Sequence, residues 1–210
     1  MDSRLVLAVL VFVVCHTSLV EGFSSGAPLS ACVTMTPAHL YNSNASRPID
    51  PEDGPSPYSL QVDKLMVRKG GNVQVTINGG SFQGFLLQAR LADGSSTVPV
   101  GTFSTIVEET KITTCTAAAD SVTHSSKTNK TDGMTVTWMA PNMEFGDIKF
   151  VATVAEKHCV FWVGHESSTV SYDPTEPTAE PEPTTQSAIW IVPSLSAMMS
   201  LLIAVFAIYY

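Results

Sequence analysis

Charge is scarce in this chain. Asp, Glu, Lys and Arg together make up 14% of its 210 residues, and aromatic residues 8%. Only 11 residues are Lys or Arg, against 19 Asp or Glu, and the bases do not cluster. A protein that grips phosphates needs a basic stripe, so no nucleic acid partner is expected. Catalytic signatures are missing too. There is no Gly-rich phosphate loop and no G-x-S-x-G elbow. His39, His124, His158 and His165 show neither H-x-H nor H-E-x-x-H spacing, so no metal site is expected. His158 and Cys159 are sequence neighbours, which a strand would point to opposite faces. The acidic pair Glu108-Glu109 reads as a solvated edge. No amphipathic helix of ten or more residues can be traced, and no internal repeat. These absences predict no catalytic residue, no cofactor and no enzyme.

What is present begins with two apolar termini. Arg4 precedes an uncharged run from Leu5 to Cys15, and Val20 and Gly22 sit three and one residues before Phe23. A short charged region, an apolar core and small residues before a cut make a signal peptide, predicted over 1–22. Residues 188–210 carry no charge, and at ~1.5 Å rise per residue they could cross a ~30 Å hydrocarbon core. The preceding segment, residues 173–187, contains PTEPTAEPEPTT and reads as an extended, solvated stalk, because Pro removes donors and repeated acids repel. A polar spacer before a terminal apolar run is the pattern of a glycolipid (GPI) anchor signal; a retained membrane helix is the alternative. Either way the C-terminal tail predicts attachment at the outer face of the plasma membrane. Ser167, Ser168, Ser171, Thr178 and Ser187 are all small enough to carry an anchor.

Between these ends, residues 23–172 suffice for one domain with its own core. Their charge is mild, 13 acids against 10 bases. The pattern is β throughout. NVQVTIN (Asn72 to Asn78) puts Val73, Val75 and Ile77 on one face, and GMTVTWMA (Gly133 to Ala140) does the same with Met134, Val136 and Trp138. KFVATVA (Lys149 to Ala155) and VFWV (Val160 to Val163) are β-branched and aromatic runs. Gly70-Gly71, Asn78-Gly79-Gly80, Asp93-Gly94, Asp132-Gly133 and Pro141-Asn142 supply turns between them. Short strands at this spacing predict an all-β, two-sheet antiparallel sandwich.

With Cys15 leaving in the leader, Cys32, Cys115 and Cys159 remain in an oxidising compartment, allowing one bridge and one leftover. Closing the loop from 32 to 115 would contribute on the order of 4 kcal/mol in the entropic picture. Cys159, inside a strand-like apolar run, is expected as a buried unpaired thiol, with a mixed or intermolecular disulfide as the alternative. Asn44-Ala45-Ser46 and Asn129-Lys130-Thr131 are N-glycosylation triplets in polar loops.

Longer motifs narrow the reading. SGAPLSACVTMTPAHL (Ser25 to Leu40), PSPYSLQVDK (Pro55 to Lys64), FQGFLLQAR (Phe82 to Arg90) and PVGTF (Pro99 to Phe103) follow one another. VTHSSK (Val122 to Lys127), VTWMAP (Val136 to Pro141) and FVATVAEKHCVFWVG (Phe150 to Gly164) come after. In that order and spacing the chain resembles the reeler (reelin N-terminal) domain, over about 140 residues. The resemblance implies an immunoglobulin-like β-sandwich and pairs Cys32 with Cys115. It is nearest to single-domain insect defence proteins, with a stalk and tail added.

Three functions compete. The resemblance implies recognition of microbial surface components in innate defence, and sandwich loops are a common place for such contacts. The loops from Tyr41 to Pro57 and from Ala117 to Asp132 are the candidates. Adhesion to extracellular matrix or cell-surface ligands needs only the same displayed sandwich. A role as accessory to a ferric-chelate-reductase-like system would need haem held by paired His on membrane helices, and the apolar tail contains no His.

Overall fold

Alternation decides the first sheet. Val73, Val75 and Ile77, and on the partner strand Val136 and Trp138, are buried on one face, with polar residues on the other. In this computed structural model residues 23–41, 48–104 and 107–175 are described. The leader, the triplet at Asn44 and the stalk and tail beyond residue 175 lie outside the described residues. The chain divides into units Met1–Glu176 and Pro177–Tyr210, and every described element belongs to the first.

In chain order the elements are α1 (Ala31–Thr34), β1 (Ser59–Val62), β2 (Met66–Val67), β3 (Asn72–Asn78), β4 (Gly84–Leu91), β5 (Thr102–Phe103) and β6 (Thr110–Thr113). β7 (Ser121–His124), β8 (Met134–Met139), β9 (Ile148–Lys157), β10 (Val160–Glu166) and β11 (Ser171–Tyr172) follow. One antiparallel sheet has the order β1-β3-β8-β5, and the other β10-β9-β4-β7-β6. Their facing sides share one core, which takes Val73, Ile77, Phe103 and Trp138 from the first sheet and Phe85, Leu87, Val122 and Phe150 from the second. This is the expected antiparallel sandwich. The exception to antiparallel pairing is a short parallel β11·β2 pair that ties the C-terminal end of the domain to its middle. Asp173 extends that tie: its N–H donates to the Val67 carbonyl, and its carboxylate meets Arg68 Nε at 2.9 Å. The fold therefore runs past residue 172.

Two glycines are dictated by close approach. At Gly101 φ is +70°, and a Cβ would stand 2.4 Å from the Met139 carbonyl oxygen and 2.5 Å from the Trp138 ring. That approach lets Trp138 Nε1 donate to the Val100 carbonyl at 2.8 Å, satisfying the indole inside the core. At Gly79 φ is +117°, and a Cβ would lie 1.9 Å from the Pro57 carbonyl oxygen.

The second sheet is covered on both faces. β4 and β9 are buried along almost their whole length, unlike the half-exposed β3 and β8. What covers the outer face is the N-terminal segment 23–41, and that segment builds the site described next.

Candidate functional site

Strand geometry alternates side chains, so the residues of β4 that do not enter the core, Gly84, Leu86, Gln88 and Arg90, share its outer face. Register places them beside Thr153, Ala155 and Val151 of β9 and Ser121 and Thr123 of β7. The segment 23–41 crosses this face as a strap. Its centre is held by the Gln-x-Arg pair of FQGFLLQAR. Gln88, 0% exposed, donates through Nε2 to the Cys32 carbonyl and to Ser121 Oγ. Its Oε1 accepts from Arg90 Nη2 at 2.7 Å, and Arg90 also donates to the carbonyls of Cys32 and Val33. Cys32 is joined to Cys115 by a disulfide with Cα atoms 5.5 Å apart. Beside it the carboxylate of Asp120, 1% exposed, accepts the N–H groups of Cys115, Thr116 and Ala117. A buried amide and a buried carboxylate are thus fully spent on fixing the disulfide.

Further pins hold the strap on either side. Thr153 Oγ1 donates to the Met35 carbonyl at 2.6 Å, and the Ala27 N–H donates to Thr123 Oγ1 at 2.9 Å. Three histidines complete the set. His39 Nδ1 donates to the His158 carbonyl at 2.7 Å, and His158 Nε2 donates to the Leu40 carbonyl at 2.9 Å. The two rings stack with centroids 4.5 Å apart. His124 Nε2 donates to the Phe23 carbonyl at 2.8 Å, while its Nδ1 accepts the Phe85 N–H at 3.2 Å. That pair of contacts assigns one neutral tautomer. Burial, and secondarily the neighbouring His158, lowers the pKa of His39 from 6.5 to about 4. Burial likewise lowers His124, opposed by its bonds to Phe23 and Phe85.

Beneath the strap lies a cavity of about 420 Å³. It exists because the register pairs Gly84 with Ala155 on the outer face, and neither fills the space between sheet and strap. Phe23, Ala27, Ala31, Met35, Phe85 and Leu86 supply its apolar wall. No Asp or Glu lines it, although the chain carries a net charge of −8. Its charged lining residues are Lys127 and Lys157.

The fold unites three of the four histidines that sequence spacing left apart, while His165 stands elsewhere, its Nε2 3.0 Å from Ser56 Oγ. Nothing in their spacing of 85 and 34 residues could have shown it. Among the described residues no group of three His, Cys, Asp or Glu is placed to hold a metal ion. Asn129 is exposed in the loop after β7. Two expectations are corrected. Cys159 sits in the tight turn between β9 and β10 rather than within a strand, and it is disulfide-bonded, not an unpaired thiol. The expectation came from an odd count of three cysteines once Cys15 is assigned to the leader. The supposed loop from Ala117 to Asp132 contains β7, whose four residues are all buried, so what is exposed for contact is Ala117 and Ala118 before it and the segment after His124. There Lys130, 4% exposed, is turned inward, donating to the carbonyls of Gln83, Ser126 and Thr128.

These pinning residues are the ones the motifs contain: Gln88 and Arg90 in FQGFLLQAR, Thr123 and His124 in VTHSSK, Cys32 and His39 in the N-terminal motif. The Reeler domain family matches residues 30–178. This chain belongs to that family. Its relatives include "Putative defense protein 3" of Antheraea mylitta, 32% identical over 80% of this chain and 97% of that protein. The Reeler chain is also 33% identical to ferric-chelate reductase 1 of Bos taurus, across 86% of itself but only 29% of the reductase. Among solved structures, the human F-spondin reeler domain is 25% identical, with TM-score 0.48, over 59% of this chain and 94% of that one.

Proposed function

We propose that this Reeler chain acts by binding rather than by catalysis, as an extracellular, cell-surface recognition protein of innate immune defence. The observation that carries the reading is extent. Similarity runs along 97% of "Putative defense protein 3" but along 29% of the ferric-chelate reductase, so most of the reductase has no counterpart in the matched region. The chemistry of the site agrees. The pocket histidines spend Nδ1 of His39, Nε2 of His158 and both nitrogens of His124 on backbone groups, which suits structural pins, while His158 Nδ1 has no hydrogen-bond partner. The Cys32–Cys115 disulfide suits an oxidising compartment. Attachment at the outer face would come from a glycolipid at the C-terminal end. Ser167 Oγ accepts the Phe150 N–H and Ser171 belongs to β11, so an attachment residue that spares the fold lies beyond Asp173.

The segment 52–57 and the loop 125–132, with a glycan on Asn129, are the proposed contact surfaces. The test is to express residues 1–176, which contain every described element, as a secreted glycosylated protein. Its binding to whole bacteria, to purified cell-wall components and to host matrix is then measured in parallel. Saturable binding to microbial surfaces alone is the expected result. Binding to host matrix alone would replace defence with adhesion.

A further inference from the structure

We propose that the cavity beneath the strap is a binding site for a free single-chain fatty acid, with the alkyl chain against Ala31, Met35 and Leu86 and the carboxylate at Lys127 and Lys157. This goes beyond the surface-recognition reading and stands or falls independently of it.

The cavity has the size of a small-molecule site, since such pockets run from about 300 to 1,000 Å³, and this one holds about 420 Å³. Its polarity is graded along the strands. Gly84 opens β4, His124 closes β7 and Lys157 closes β9, and the register sets these ends side by side. Lys127 follows His124 by three residues, so both lysines and Gln83 stand at one end of the cavity. Toward the other end, Leu86 pairs with Thr153, and Leu86, Ala31 and Met35 form a buried apolar cluster with Val151. A ligand that follows this gradient is apolar along its length and anionic at one tip.

The alternatives fit less well. A sugar needs several unspent donors and acceptors converging on it. Here Thr123, Thr153, His124 and one nitrogen each of His39 and His158 already bond to strap or sheet backbone, leaving His158 Nδ1 without a partner, and Ser24, Gln83 and the lysines at the mouth. An alkyl chain asks for no such groups, only for dry apolar wall. A cationic head would meet two lysines and no lining acid. Glu156 stands 4.0 Å from Lys157 Nζ with both side chains exposed, a contact screened by solvent.

The experiment titrates sodium laurate, below its micellar concentration, into the glycosylated protein of residues 1–176 by isothermal calorimetry. Native mass spectrometry counts bound ligand. Methyl laurate and lysophosphatidylcholine are the parallel arms. One laurate per chain is expected, with binding weakened at least roughly tenfold in the surface double variant Lys127→Glu/Lys157→Glu and for the methyl ester. Ala155→Phe, which fills the cavity floor, is expected to abolish it. Loss of binding in Ala155→Phe counts only with an unchanged melting temperature, and the double variant supplies the test if Ala155→Phe misfolds. No saturable laurate binding by the unaltered protein overturns the proposal. So does laurate binding that the double variant leaves unchanged, or a preference for the lysophospholipid.

Discussion

Arg90 and His39 carry the strap at the scale of single residues, in different ways. Arg90 is a donor fork: it reaches the carbonyls of Cys32 and Val33 and orients Gln88, so its loss strands three acceptors, two of them part-buried. Arg90→Met keeps most of the stem and removes the fork. It is expected to lower the unfolding free energy by about 1–3 kcal/mol in urea titration, and an unchanged midpoint would mean that water replaces the guanidinium at no cost. His39 makes the same attachment depend on pH. Its folded pKa, about 4, lies below its ordinary value of 6.5, so between those limits the unfolded chain binds a proton that the folded chain refuses. Stability is therefore complete above about pH 6.5, falls as pH drops towards 4, and levels below that. The fall from this residue is on the order of 3 kcal/mol at most. Lowered His124 acts in the same direction, because burial disfavours its charged form. Thermal melts from pH 7.5 to 4 should show the decline, and His39→Phe should flatten it; equal slopes would assign the decline to other groups.

The strap is the element on which the site depends, and it has almost no regular structure of its own. α1 is a single four-residue turn, ended by Met35 in the left-handed region at φ 62°. Such a segment cannot hold itself in place. The disulfide is its one covalent tie among the described residues, closing a sequence separation of 83 residues. Replacing Cys32 and Cys115 by Ser is expected to cost roughly 4 kcal/mol by the chain-entropy estimate. The loss should also be uneven. Hydrogen exchange should rise first at the Ala27 and Met35 amides, while the β4 and β9 amides, held by their own ladders, keep their protection. Simultaneous loss across the strap and the β4·β9 pair would show that the strap is part of the core's own cooperative unit. β10 shows the opposite economy. As the edge strand of the larger sheet it carries two register shifts against β9, and bulges of that kind disfavour edge-to-edge association.

Across the whole domain, legibility followed locality. The alternation in NVQVTIN and GMTVTWMA marked β3 and β8 and the faces they bury, because a period of two is a property of neighbouring residues. The apolar runs marked β9 and β10 for the same reason, although β9 begins one residue before its run and ends two after it, and β10 ends three after. β4 was visible only as a motif. Covered on both faces, FLLQAR shows no clean alternation, and its Gln and Arg look like surface residues until the strap is laid over them. Composition and pattern alone determined an all-β domain between two apolar ends, and the order of the motifs determined the family. Only the tertiary structure decided that His39, His124 and His158 meet, that Lys130 turns inward, and that Gly84 against Ala155 leaves a cavity. Each of these depends on register and on a crossing between residues far apart in sequence, where no local period exists to be read.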